Sequence, residues 1–366
     1  MFVIESDAVR VVLNPEGGHL DEVVFRAWGQ ELRPMHRAPW RAAHERLPAD
    51  TPVIERNLAG DFFCAPFGPN DLDGGPAHGP AANGTWRLAG TEAVHGDARR
   101  SSFILEPPIL GARLSKLITL VRGQPIVYER HIFAGGQGRL PVGHHAMIHV
   151  PGGATLAFSQ KAFGLTAATP TEPDPSRGRS ALAYPQRFES LAAVKRANGT
   201  TVDASHYPFA ENSEDIVLLA VAPGAHYGWS AALAGKDGFL FFGVKNARVL
   251  PFTLLWMSNG GRDYSPWNSR HRHVLGIEEI RSYFHLGHRA ATEPNELTEA
   301  GYPTTVELVP GGSVTINYAF GAIPAPTGWT RVTGIDVEAR RLRLRGDVGA
   351  PVEVPFDRAA LDGGTV

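Results

Sequence analysis

Side chains able to pass protons near neutral pH concentrate in three stretches of this sequence. In GDFFCAPFGPNDLDGGPAHGPAANGTWRL an apolar run enters a Pro/Gly loop that delivers His78 and Asn83 just before Trp86. Loops held by strands in this way are where sites are usually built. In LPVGHHAMIHVPGG, strand alternation sends His145 and His149 to one face and His144 to the other. The third stretch, LLWMSNGGRDYSPWNSRHRHVLGIEEIRSYFHLGH, holds Trp256, Arg262, Trp267, Asn268, Glu278 and Glu279. Aromatic faces beside amides and carboxylates suit a sugar, whose ring presents apolar C–H faces and polar hydroxyls. Read as a strand, VLGIEEI puts Val274, Gly276, Glu278 and Ile280 on one face, so only one of the two glutamates enters a cleft. Gly276 leaves room there for a sugar ring, while Glu279 is expected to turn toward solvent or an arginine such as Arg281.

The elements that must carry these residues read as strands. The 41 glycines and 29 prolines punctuate the chain along its whole length, which favours short strands and disfavours long helices. Runs such as AVRVVLN, RLSKLITLVR, DIVLLAVAP, GFLFFGVKN and TTVELVPGGSVTINYAFG are rich in β-branched and aromatic residues. The expected fold is all-β, a large antiparallel β-sandwich spanning residues 1–366 as one unit, with a main body over 1–325 and appended strands over 326–366. Two short helices are expected, in RPMHRAPWRAAHER and in SLAAVKRANG, and the Thr/Pro/Ser-rich stretch 164–187 reads as a loop or insertion.

Composition excludes several partners. A net charge of −2 with both signs interspersed gives no footprint for nucleic acid or an anionic membrane. The longest apolar runs have strand length and are too short for a membrane helix. A single cysteine, Cys64, allows no intrachain disulfide and reads as a structural thiol within FFCAPF. The start MFVIESDAVRVV lacks the basic and apolar regions of a secretory signal, so a cytoplasmic location is expected.

The order of the pieces carries a resemblance. GDFFCAPFG, the HG of AHGPAANGTW, the H-x-x-x-x-V of HHAMIHV, the strand LLW and finally LGIEE succeed one another over roughly residues 10–320, after an opening hairpin LNPEGGHLDEVVF. In that order they resemble the galactose mutarotase-like superfamily, which includes aldose 1-epimerases and hexose-6-phosphate epimerase-like proteins. The resemblance implies an aldose 1-epimerase-like isomerase, a mutarotase acting on a monosaccharide or sugar derivative without metal or other cofactor. Glu278 matches the base, His145 the acid, and His78 a second histidine that holds the sugar. Asn83, Asp61, Arg56, Trp256, Asn268 and Arg262 are the expected substrate-binding residues. The sequence departs from the hexose-phosphate epimerases at LAGDFFCAPFG, which lacks their arginine-glycine-glycine step. Oligomeric state is open, with a homodimer among the options.

Two other readings compete. His271, His273 and Glu278 reproduce the His-x-His-x4-Glu spacing of cupin metal sites. A non-catalytic carbohydrate-binding sandwich is the other. With 15 histidines in the chain, His44, His95, His131 and His226 read as ordinary surface or core residues.

Overall fold

The computed structural model describes residues 1–94 and 97–364, which leaves His95 outside the described residues. Strands account for 48% of it and helices for 9%, so the all-β expectation holds. Two large antiparallel sheets face each other. One runs in the order Gln186–Phe188, Lys161–Thr166, Ser213–Val221, Phe252–Asn259, Val274–Arg281, Val142–His144 and Phe63–Cys64, and Ala146–His149 continues the Val142–His144 strand along Val274–Arg281. The other has nine strands, with Phe239–Asn246, Ser313–Pro324 and Ile126–Gly135 at its centre.

Alternation along each strand sorts residues into layers. Leu255, Met257, Leu275 and Ile277 of the first sheet meet Leu114, Ile118, Phe133 and Phe241 of the second in the core between them. The alternate residues Leu254, Trp256, Val274 and Ile280 form a second apolar layer on the outer face of the first sheet, covered by Trp40, Ile54, Leu58 and Leu297. Outside the nine-stranded sheet lies a third layer. There Val332–Val337, Arg341–Gly346 and Val352–Pro355 form a three-stranded sheet whose Leu342, Leu344 and Val354 pack on Leu240, Phe242 and Val244.

Both helix expectations are reduced. In RPMHRAPWRAAHER only Pro39–Ala42 is helical, because Met35 and Arg37 pair with Ile148 and Ala59 as isolated bridges and hold the preceding chain extended. In SLAAVKRANG a single 3₁₀ turn, Leu191–Ala193, gives way to Val194–Lys195, which pairs with Thr201–Val202. The Asn198-Gly199 step between them makes a hairpin, with Gly199 at φ +83°. Of the stretch 164–187, the first residues finish the strand Lys161–Thr166 and the last belong to Gln186–Phe188, so the loop is the portion between.

The inter-sheet core is not wholly apolar. Lys116 shares the inward face of its strand with Leu114 and Ile118, is fully buried, and donates from Nζ to the Gly18 carbonyl at 2.7 Å. Asp61, Glu129, His131 and His144 are buried in the same region, and His144 Nδ1 lies 2.9 Å from Asp61 Oδ2.

Candidate active site

A cavity of about 300 Å³ opens on the outer face of the first sheet, at the low end of the size range of small-molecule sites. His78, His145 and Glu278 all line it, together with Trp256, Trp267 and Arg262. Residues drawn from three distant parts of the chain therefore meet in one place.

The sheet sets the central pair. The ladder aligns Ala146 with Ile277 and Gly143 with Ile280, which places residue 145 opposite residue 278. His145 Nε2 and Glu278 Oε1 are 3.4 Å apart. The His145 backbone N–H donates to the Phe62 carbonyl at 3.0 Å and to Asp61 Oδ1 at 2.8 Å, and its ring stacks on Phe62 with centroids 4.5 Å apart. Burial drives the His145 imidazole well below its usual pKa, helped by nearby His78. Burial likewise pushes the Glu278 carboxyl well above the carboxylate range, with Asp61 and Glu214 adding to it. Both shifts favour the neutral forms, a protonated carboxyl facing a neutral imidazole, and the titration of groups this close belongs to the two together.

His78 is fixed by its loop. It adopts φ +62°, in the left-handed region, its N–H donates to the Gly68 carbonyl at 2.7 Å, and its Nδ1 accepts from the Gly68 N–H at 3.3 Å. An accepting Nδ1 leaves the proton on Nε2, so His78 is a donor at its free nitrogen. Burial holds it neutral, lowering its pKa to about 3. Gly68 must be glycine: at φ +90° a Cβ would fall 2.6 Å from the His285 carbonyl oxygen.

The other expected contact residues separate into two groups. Trp256 and Arg262 line the cavity. Asn83, Asp61, Arg56 and Asn268 do not, and each is occupied elsewhere. Asn83 Oδ1 accepts from the Ile54 N–H while its Nδ2 donates to the Ala77 and Gly79 carbonyls, so it ties together the loops that present Ile54 and His78. Asp61 is fully buried behind the strand, serving His144 and the His145 amide. Arg56 pairs with Glu16 at 3.1 Å near the surface, and Asn268 is an exposed turn residue at φ +44°.

Gly276 and Glu279 correct the expectation for their strand. The room left by Gly276 is taken by protein, since a Cβ there would lie 2.6 Å from Glu278 Oε1 and 3.0 Å from Trp256 Cβ. Glu279 does face away from the cavity, but it is buried in the inter-sheet core and forms an ion pair with Lys245 there. Sequence reasoning passed over Glu55, Thr171 and His285, all of which line the cavity. Only His285, in the SYFHLGH end of the third cluster, had a chemical signal to find.

The cupin arrangement is not formed. His273 precedes the strand and Glu278 is five residues further on, a separation of roughly 16 Å in extended chain. His271 Nδ1 is bonded to Ser258 Oγ at 2.8 Å. Among the described residues, one group brings three metal-ligating atoms within 4.8 Å of one another, Glu129, His131 and His144, and it lies between the sheets.

No family model matches the sequence, and no curated protein matches it. Solved structures do match. A galactose mutarotase related enzyme from Lactobacillus acidophilus superposes with a TM-score of 0.52 at 12% identity, covering 89% of this chain and 98% of its own. A galactose mutarotase-like protein from Clostridium acetobutylicum gives 0.55 at 10% identity, over 88% and 94%. This chain has the galactose mutarotase-like fold. A TPR-domain containing protein from Parabacteroides distasonis gives 0.57 at 12% identity and covers 98% of this chain with 52% of its own length. The mutarotase-like fold thus recurs both as nearly a whole chain and as part of a longer one. Among the described residues, no helix is long and apolar enough to cross a membrane.

Proposed function

We propose that the chain is an aldose 1-epimerase-like isomerase that interconverts the anomers of a sugar in the His78/His145/Glu278 cavity. The observation that carries this reading is the 3.4 Å approach of His145 Nε2 to Glu278 Oε1 inside a sugar-sized cavity. Anomer interconversion needs one proton taken from the O1 hydroxyl and one given to the ring oxygen. The C1–O5 bond breaks as the C1=O1 double bond forms, the aldehyde rotates, and closure reverses both transfers. A pair holding one proton offers one donor and one acceptor at all times, so the cycle leaves it unchanged. In the roles proposed, Glu278 takes the O1 proton and His145 supplies the ring oxygen, with His78 Nε2–H holding a hydroxyl. In those roles the pair's proton sits on the imidazole and not on the carboxyl when the reaction begins.

Polarimetry on freshly dissolved α-sugars tests this. Glu278→Gln keeps the shape but cannot accept a proton, so interconversion should fall to the uncatalysed rate while sugar affinity stays within roughly tenfold. Sugar binding by the unaltered protein with no acceleration of anomer exchange would sink catalysis and leave a binding protein.

A further inference from the structure

Arg262 is the only lysine or arginine among the described residues that line the cavity, and its charge is already engaged. Its Nε and Nη2 donate to Glu214 Oε1 at 2.8 and 2.5 Å. The guanidinium carbon stands 4.4 Å from the centre of the Trp267 ring and 5.7 Å from that of Trp256. The other Glu214 oxygen accepts from Ser258 Oγ at 3.3 Å, and that hydroxyl also meets His271 Nδ1. Glu214 is thus held from two sides, by Ser258 and by the arginine. A second carboxylate, Glu55, also lines the cavity.

We infer that the cavity selects an uncharged sugar over a phosphorylated or carboxylated one, and that Glu214 sets this preference by neutralising Arg262. The inference rests on the reading of the cavity as a sugar site. A phosphate entering it would shed water and meet a guanidinium whose charge is already paired with a carboxylate that takes its Nε and one Nη2 donor, with Glu55 repelling it. The histidines bring no cation to offset this, since burial lowers His78 to about 3 and His285 to about 4, and holds His145 well below its usual value. An uncharged sugar needs none of these charges. It requires a donor such as His78 Nε2–H and apolar walls, which Ile54, Leu58 and Leu254 supply.

Tryptophan fluorescence titration with D-glucose, D-galactose and their 6-phosphates tests the inference. The unaltered protein should bind at least one free hexose tenfold or more tightly than its 6-phosphate. Glu214→Gln frees the guanidinium and should narrow that ratio about tenfold by improving phosphate binding, and adding Arg262→Gln should abolish the gain. If thermal melting shows that Glu214→Gln does not fold, Glu55→Gln should narrow the ratio several-fold by removing the second carboxylate. A 6-phosphate bound as tightly as the free sugar by the unaltered protein overturns the inference, and so does a failure of both free hexoses to bind. Polarimetry on the same samples separates this from the catalytic reading. Free hexose bound without faster anomer exchange sinks catalysis alone, while 6-phosphates bound and converted as well as free sugars sink the selectivity alone.

Discussion

Glu278 and Glu279 are neighbours in one strand, equally buried, and opposite in circumstance. Glu279 points into the inter-sheet core, where Lys245 pairs with it and Thr253 Oγ1 donates to it at 2.8 Å. Burial disfavours its charge, but the ammonium groups of Lys245 and Lys161 outweigh that and hold its carboxyl below the usual range. Glu278 points into the cavity, meets only a neutral imidazole, and keeps its proton. The same side chain is a paired ion on one face of the sheet and a carboxyl without a cation on the other. What separates them is the supply of a partner, and a buried carboxyl left without a cation is one whose proton remains available for chemistry.

The sharpest way to break this contrast is to remove the cation. Lys245→Met should cost about 3–5 kcal/mol by stranding the Glu279 carboxylate, and Lys245→Met/Glu279→Met should recover more than half of that loss. Urea denaturation of the three proteins measures it, and a single variant as stable as the parent would show that Glu279 does not depend on its partner.

On the other face the expected sign is reversed. The folded protein holds a proton on Glu278 that the unfolded chain releases above its ordinary pKa of about 4.3, so this group makes folding less favourable as pH rises through and beyond that value. Glu278→Gln carries no such penalty. It should be more stable than the parent at neutral pH, by about 1.4 kcal/mol for each pH unit above about 4.3 over which Glu278 stays protonated, with the difference vanishing below about pH 4. Thermal melts across that range decide it, and a variant less stable at pH 8 than at pH 5 relative to the parent would contradict the protonated assignment.

The smallest effect concerns Cys64, fully buried on the strand that pairs with Val142–His144, whose thiol is pushed well above its usual pKa by burial, with Glu278 and Asp61 adding to it. A thiol reagent should leave the native protein unlabelled and label it fully in denaturant. Rapid labelling of the native form with loss of sugar binding would place the thiol at the cavity instead.

Sequence reading reached the fold because strand alternation and turn residues are local signals, and the order of His78, His145 and Glu278 along the chain, resembling a known pattern, picked out three residues that line one cavity. Alternation also put Glu278 and Glu279 on opposite faces. It failed on what each face contains. Nothing near Glu279 in sequence announces Lys245, which arrives from the other sheet, and nothing near Lys116 announces its burial between the sheets. Asn83, Asp61 and Arg56 have the chemistry of sugar ligands, yet each is engaged by partners set by the three-dimensional packing of loops. The apolar residues Ile54, Leu58 and Leu254 carry no chemical signal and so went unremarked as walls of the cavity.

The three-stranded sheet at the end of the chain has a consequence of its own. It covers Leu240, Phe242 and Val244 on the outer face of the nine-stranded sheet, far from any residue with a chemical role proposed above. Stripped away, it would leave a broad apolar surface on an otherwise finished sandwich, and such surfaces seek one another. Removing these strands is therefore expected to make copies of the molecule associate, which light scattering of the shortened chain would measure. Shortening the chain there would trade a well-behaved particle for a sticky one while leaving the proton-carrying pair intact.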